Sequence, residues 1–112
     1  MKDILDNKIA PTNYRFVMAK GYEYQGQPIV VSEYGGFKLA GTEGWGYDGE
    51  AKDAEDLVRK YDEITSAYKK MEKVCGFCYT QLTDVYHETN GLMSFDRTPK
   101  VPLKEIKKIN ER

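Results

Sequence analysis

In the stretch PIVVSEYGG, Pro28 to Gly36, a β-branched apolar run ends in a carboxylate, Glu33, followed at once by an aromatic and two glycines. A charge at the end of such a run is costly to bury unless it is paired or used. Placed at the C-terminal end of a strand, with glycines behind it that admit unusual backbone angles, a carboxylate is suited to act as a nucleophile or general base. The plainer alternative is a strand-end Glu paired with a lysine.

The other reactive side chains offer less. CGFC, Cys75 to Cys78, follows a helical pattern and enters a strand, whereas a thioredoxin-like pair opens a helix. Zinc needs about four ligands, and two cysteines with His87 leave the set incomplete. Two reduced, mostly buried thiols, with no metal and no cofactor, are expected. His87 is the only histidine, which leaves nucleophilic triads little to build on.

Three kinds of element must position these residues. PIVVS lacks alternation and reads as a strand buried on both faces, as in parallel sheets covered by helices. GGFKLAGTEGWGYDGEAK, with six glycines, reads as a long loop. DAEDLVRKYDEITSAYKKMEK then carries Ala54, Leu57, Val58, Tyr61, Ile64, Tyr68 and Met71 at spacings of three and four, with Asp53 as its cap. VCGFCYTQL reads as a second strand and TDVYHETNGLMSFDRTPK as a second loop with an Asn90-Gly91 turn. VPLKEIKKINER closes the chain as a helix with Pro102 in its first turn. The order strand, loop, helix, strand, loop, helix makes the two strands parallel and puts both loops at their C-terminal ends. Two such units equal a quarter of an eight-fold α/β barrel. Residues 1–27 read as a connecting segment, and residues 28–112 as the α/β portion.

Composition narrows the function classes. The 112 residues are 40% hydrophobic with a net charge of -1, and lysines are interleaved with acids, so no basic stripe exists for nucleic acid. No apolar run approaches the roughly 18 residues of a membrane span, and MKDILDNKIAP has no signal-peptide core. The sequence therefore reads as soluble, with no nucleic-acid or membrane partner and with its cellular location open. The nine tyrosines and single Trp45 suit either ordinary cores or surfaces that meet sugars.

PIVVSEYGG together with GFCYTQLTDVYHETNGLMSFDRTPK resembles the last two strand-and-helix units of the catalytic barrel in glycoside hydrolase family two, which includes β-galactosidases and β-glucuronidases. The likeness runs from about Tyr22 to Lys100. It implies a partial (β/α)8 barrel comprising the seventh and eighth strands with their helices, and a retaining β-glycosidase acting on β-glycosides. Glu33 falls on the catalytic nucleophile, and Ser32, Tyr34, Gly35 and Gly36 on its flanking motif. Tyr79 stands where better-known members carry a tryptophan that floors the sugar site. Trp45 is a second sugar platform, a lid residue or a loop anchor on the rim.

One departure is decisive for the expected activity. A retaining glycosidase needs two carboxyl groups typically about 5 to 5.5 Å apart. In the family the acid/base is the Glu of an Asn-Glu pair ending the fourth strand, and no segment here corresponds to it. Asn110-Glu111 matches by letters alone, and Asp84 and Glu88 merely share the rim with Glu33. The expectation is an inactive isolated chain, completed by the rest of the barrel or self-associating through open strand edges. The rival is a non-catalytic carbohydrate-binding or assembly module.

Overall fold

The computed structural model describes Leu5 and residues 16–112. The reading of the opening segment before Phe16 otherwise falls outside the described residues. From Phe16 to Gln27 the chain forms bends and turns without helix or strand, in keeping with its glycines and polar residues.

Strand β1, Ile29–Tyr34, is formed by the β-branched run, and Pro28 precedes it, where its missing N–H costs no ladder bond. Short strands β2, Lys38–Leu39, and β3, Glu50–Ala51, follow. Helix α1 spans Ala54–Lys69. Strand β4, Val74–Tyr79, and helix α2, Leu103–Glu111, complete the elements.

The α1 boundaries follow from capping chemistry. Asp53 is the N-cap, its Oδ1 accepting the Asp56 N–H at 2.8 Å. Asp56 reaches back to the Lys52 N–H at 3.0 Å, so one first-turn donor and one donor just ahead of the cap are satisfied. The apolar stripe then buries Leu57 and Tyr61. Pro102 occupies the N-cap of α2, as its fixed φ and missing N–H favour at a helix start.

β1 pairs with β4 in parallel, with Val31 opposite Phe77 and Tyr34 opposite Tyr79, and the register shifts between these two pairs. β2 pairs with β3, also in parallel, as a separate sheet. The barrel expectation is corrected here. The described residues form two helices and two two-stranded parallel pairs, with no barrel-like arrangement. A barrel closes by hydrogen-bonding each strand on both sides with a continuous stagger. Among the described residues β1 and β4 have only each other, and the segment between them forms a sheet of its own.

The packing departs from the sequence reading for the same reason. The core is Phe37, Ala51, Leu57, Tyr61, Leu92, Val101, Ile106 and Ile109. It lies between α1, α2 and the loops, and α2 packs on α1. β1 is not covered on both faces: Val30 is 61% exposed and Glu33 is exposed. Cys75 and Cys78 are also exposed thiols rather than buried ones. An apolar run specifies burial only where another layer exists to cover it.

Candidate functional site

Three segments meet beyond the C-terminal end of β1. The first is the Glu33–Phe37 turn. Gly35 and Gly36 have φ of +84° and +90°, values that favour glycine. A Cβ on Gly35 would also lie 2.2 Å from the Tyr79 ring, so a larger residue is excluded twice over. The second is the Gly44–Asp48 segment. The Gly36 carbonyl accepts the Tyr47 N–H at 2.9 Å and the Asp48 N–H at 3.3 Å. Gly46 permits this approach, because a Cβ there would stand 2.6 Å from the Gly36 oxygen. The third is the loop after β4. Trp45 donates its N–H to the His87 carbonyl and accepts from the Thr89 N–H, both at 2.9 Å.

That third loop has its own internal frame. Asp84 and Lys100 form an ion pair at 2.5 Å with both side chains about 10% exposed. Asp84 Oδ1 also accepts the Gly91 N–H at 2.8 Å, and Lys100 Nζ donates to the Thr89 carbonyl at 3.0 Å. Asn90 is fully buried and donates from Nδ2 to the Thr80 carbonyl at 3.3 Å, while its Oδ1 has no hydrogen-bond partner among the described residues. The turn expected at Asn90-Gly91 does not form: these two residues lie in irregular backbone, and the turns of this loop fall at Tyr86-His87 and Phe95-Asp96.

These segments bound a cleft of about 520 Å³, within the range of small-molecule sites. Glu33, Tyr47 and Asp48 line one part of it, and Ile64 and Tyr68 of α1 another. Glu33 is exposed there, and no ion pair joins it to a described lysine. Its carboxylate makes itself felt at Tyr47. The Tyr47 phenol is held above its ordinary value first by partial desolvation, then by the charges of Glu88 and Glu33.

The remaining residues singled out by sequence are distributed around this cleft. Tyr34 lines it with part of its surface, but the residue is buried and its hydroxyl meets Thr65 Oγ1 at 2.6 Å. Burial raises its phenol above the ordinary range. Tyr79 lies inward. Its ring stands 5.4 Å from that of Tyr34 and 4.9 Å from that of Tyr61, and Gly35 packs on its edge. Burial pushes its phenol up to about 12, an effect eased by the nearby Phe37 and Gly36 backbones, although no hydrogen bond of good geometry forms. Trp45 is 47% exposed and does not itself line the cleft; its ring stands edge-on to that of Tyr47, which does, at 5.1 Å.

Of the rim acids, Asp84 is engaged by Lys100 and Gly91, whereas Glu88 stands beside Tyr47. Asn110 accepts the Tyr61 hydroxyl at 2.9 Å and Glu111 pairs with Lys107, both remote from the cleft lining. Tyr47 and Asp48 carry no motif of their own in the sequence. The signal was their place two and three residues after Trp45, in a glycine-rich segment directly downstream of Glu33.

No metal-holding group of His, Cys, Asp and Glu occurs among the described residues. No described helix is long and apolar enough to cross a membrane. In comparisons with known proteins, no family model matches the chain and no curated protein does.

Proposed function

We propose that the chain supplies the nucleophile half of a retaining β-glycosidase site, with Glu33 as the attacking carboxylate. The observation that carries this reading is the placement of Glu33 at the C-terminal end of β1, open to a cleft that it shares with Tyr47 and Asp48. Nucleophilic attack at an anomeric carbon requires an accessible, ionised carboxylate held in a fixed frame. The glycine-mediated contact of three segments provides the frame. Trp45 and Tyr47 add exposed aromatic surface, which suits the apolar face of a sugar. Tyr34 and Tyr79 support the wall behind them.

In this reading Glu33 attacks the anomeric carbon, the glycosidic C–O bond breaks, and the leaving oxygen takes a proton from an acid carboxyl supplied by another segment. Water then cleaves the glycosyl ester and regenerates Glu33. Among the described residues no carboxyl is assigned that role, and the chain by itself is expected to be silent with aryl β-glycosides, since general acid catalysis contributes typically 10²- to 10⁴-fold. The completing partner is a chain or segment that carries the acid.

The decisive experiment uses a 2-fluoro β-glycoside with a dinitrophenyl leaving group, which departs with little acid assistance. With the completing segment supplied, peptide mapping should place the glycosyl ester on Glu33. A label on any other carboxylate rejects the assignment. Saturable sugar binding without any ester supports the alternative, a non-catalytic carbohydrate-binding module, which the exposed Trp45–Tyr47 pair favours.

A further inference from the structure

The charge of the cleft is informative about its ligand. Two carboxylates, Glu33 and Asp48, line it, while the other lining residues are uncharged among those described. Asp48 is held in place by its own N–H, which donates to the Gly36 carbonyl three residues beyond Glu33. Glu33 on the first segment and Asp48 on the second, joined through the Gly36 carbonyl, thus line one cleft. Of the lysines near this turn, Lys38 donates to the Thr42 carbonyl at 2.8 Å and pairs with Glu50 at 3.2 Å, and Lys60 Nζ lies over the Phe37 ring at 5.1 Å. A third carboxylate, Glu88, acts on the same Tyr47 phenol from the adjoining loop.

We propose that this site selects neutral glycosides against uronides, with Asp48 as a specificity-determining residue beside Glu33. The inference rests on the reading of Glu33 as the sugar-facing nucleophile and adds the chemical class of the sugar. A neutral pyranoside presents hydroxyl donors to both carboxylates, and hydrogen bonds to charged acceptors are the stronger kind. A uronide brings its own carboxylate into a space that already holds two. One like-charge contact at roughly 4 Å in a water-like medium disfavours binding about fivefold, and a less polar cleft increases the factor.

The chain carries a built-in reporter, because Trp45 is its single tryptophan and its ring touches Tyr47, a lining residue. Trp45 fluorescence should be titrated with methyl β-glucoside, methyl β-galactoside and methyl β-glucuronide, using the 112-residue chain. At low salt the neutral sugars should bind about fivefold or more tightly than the uronide, and 0.5 M salt should narrow the ratio. Asp48→Asn and Glu33→Gln should each narrow it further, and the double substitution should bring it close to one. Asp48 and Glu33 are exposed, so an unchanged circular dichroism spectrum serves as the folding control. Equal or tighter uronide binding, a ratio insensitive to both substitutions, or no response to any of the three sugars overturns the inference. An intact ratio with no ester on Glu33 would reject only the nucleophile, and an ester on Glu33 without the ratio would reject only the charge selection.

Discussion

The same conservative substitution, glycine to alanine, should have opposite effects at two positions of this chain. At Gly46 the added methyl would stand 2.6 Å from the Gly36 carbonyl oxygen, 3.1 Å from the Lys38 nitrogen and 3.2 Å from the Asn90 Cβ. Two of these neighbours are backbone atoms and cannot rotate away. Relief requires the Gly44–Asp48 segment to lift from the Glu33–Phe37 turn, which breaks the bond from Tyr47 N–H to the Gly36 carbonyl. Overpacking costs about 1 to 3 kcal/mol, and a hydrogen bond about 1 kcal/mol more. Gly46→Ala should therefore lose about 2 to 4 kcal/mol. At Gly76, in β4, the added methyl meets only the Val30 side chain at 3.7 Å, an ordinary contact. Gly76→Ala should gain roughly 0.5 to 1 kcal/mol by restricting the unfolded chain. Urea denaturation followed by Trp45 fluorescence at one fixed protein concentration measures both. In addition, Gly46→Ala should shift Trp45 emission before unfolding begins, because Trp45 adjoins the displaced residue. Equal midpoints for the two variants would refute the close approach of the two segments.

The Asp84–Lys100 pair should behave as a buried one. Lys100→Met is expected to cost about 3 kcal/mol by stranding Asp84, with part of the loss recovered in Asp84→Asn/Lys100→Met. Lys107→Met, at an exposed 3.6 Å pair, should cost under about 0.5 kcal/mol; equivalent denaturation midpoints would count against the staple. Arg59, followed by the Lys52 backbone, holds the Asp56 carboxyl below its ordinary value of 3.8. A depressed folded-state pKa gives stability that is present above about pH 4 and lost as pH falls below it. Denaturation midpoints between pH 5 and 2.5 should consequently fall less steeply in Asp56→Asn, and parallel slopes would dismiss that linkage. Finally, among the described residues β1 and β4 pair only with each other, so each leaves an outer edge without a described partner strand, and Val30 is exposed on the sheet's face. Sedimentation equilibrium should show an average mass rising with concentration, whereas a strict monomer would contradict association through those edges.

Elements governed by local chemistry were legible in the sequence. The Asp53 cap and the three-and-four spacing of Leu57, Tyr61 and their neighbours locate α1, and Pro102 locates α2. The strands at Ile29 and Val74, and their parallel pairing, also follow from pattern and order. What failed depended on neighbours distant in sequence. The unbroken apolar character of IVV suggests two covering layers, but one face of Val30 meets solvent. Lys38–Leu39 and Glu50–Ala51 are too short for alternation to reveal, and their pairing depends on the carbonyls of Gly49 and Ala51 reaching Lys38 and Ala40. At the site, Glu33 was recognisable from strand-end position and flanking glycines. Tyr47 and Asp48 acquire their meaning only through the Gly36 carbonyl, a partner that composition does not advertise.

The paired main-chain bonds between Trp45 and residues 87 and 89 bear on how such a site is re-engineered. Each loop supplies the other's missing backbone partner, so neither is an independent cassette. Exchanging Gly44–Asp48 for a segment of different length would leave the His87 carbonyl and Thr89 N–H without their mates. Exchanging the loop after β4 would do the same to Trp45. The two segments are therefore best exchanged together from one donor, with loop length treated as a shared property of the pair.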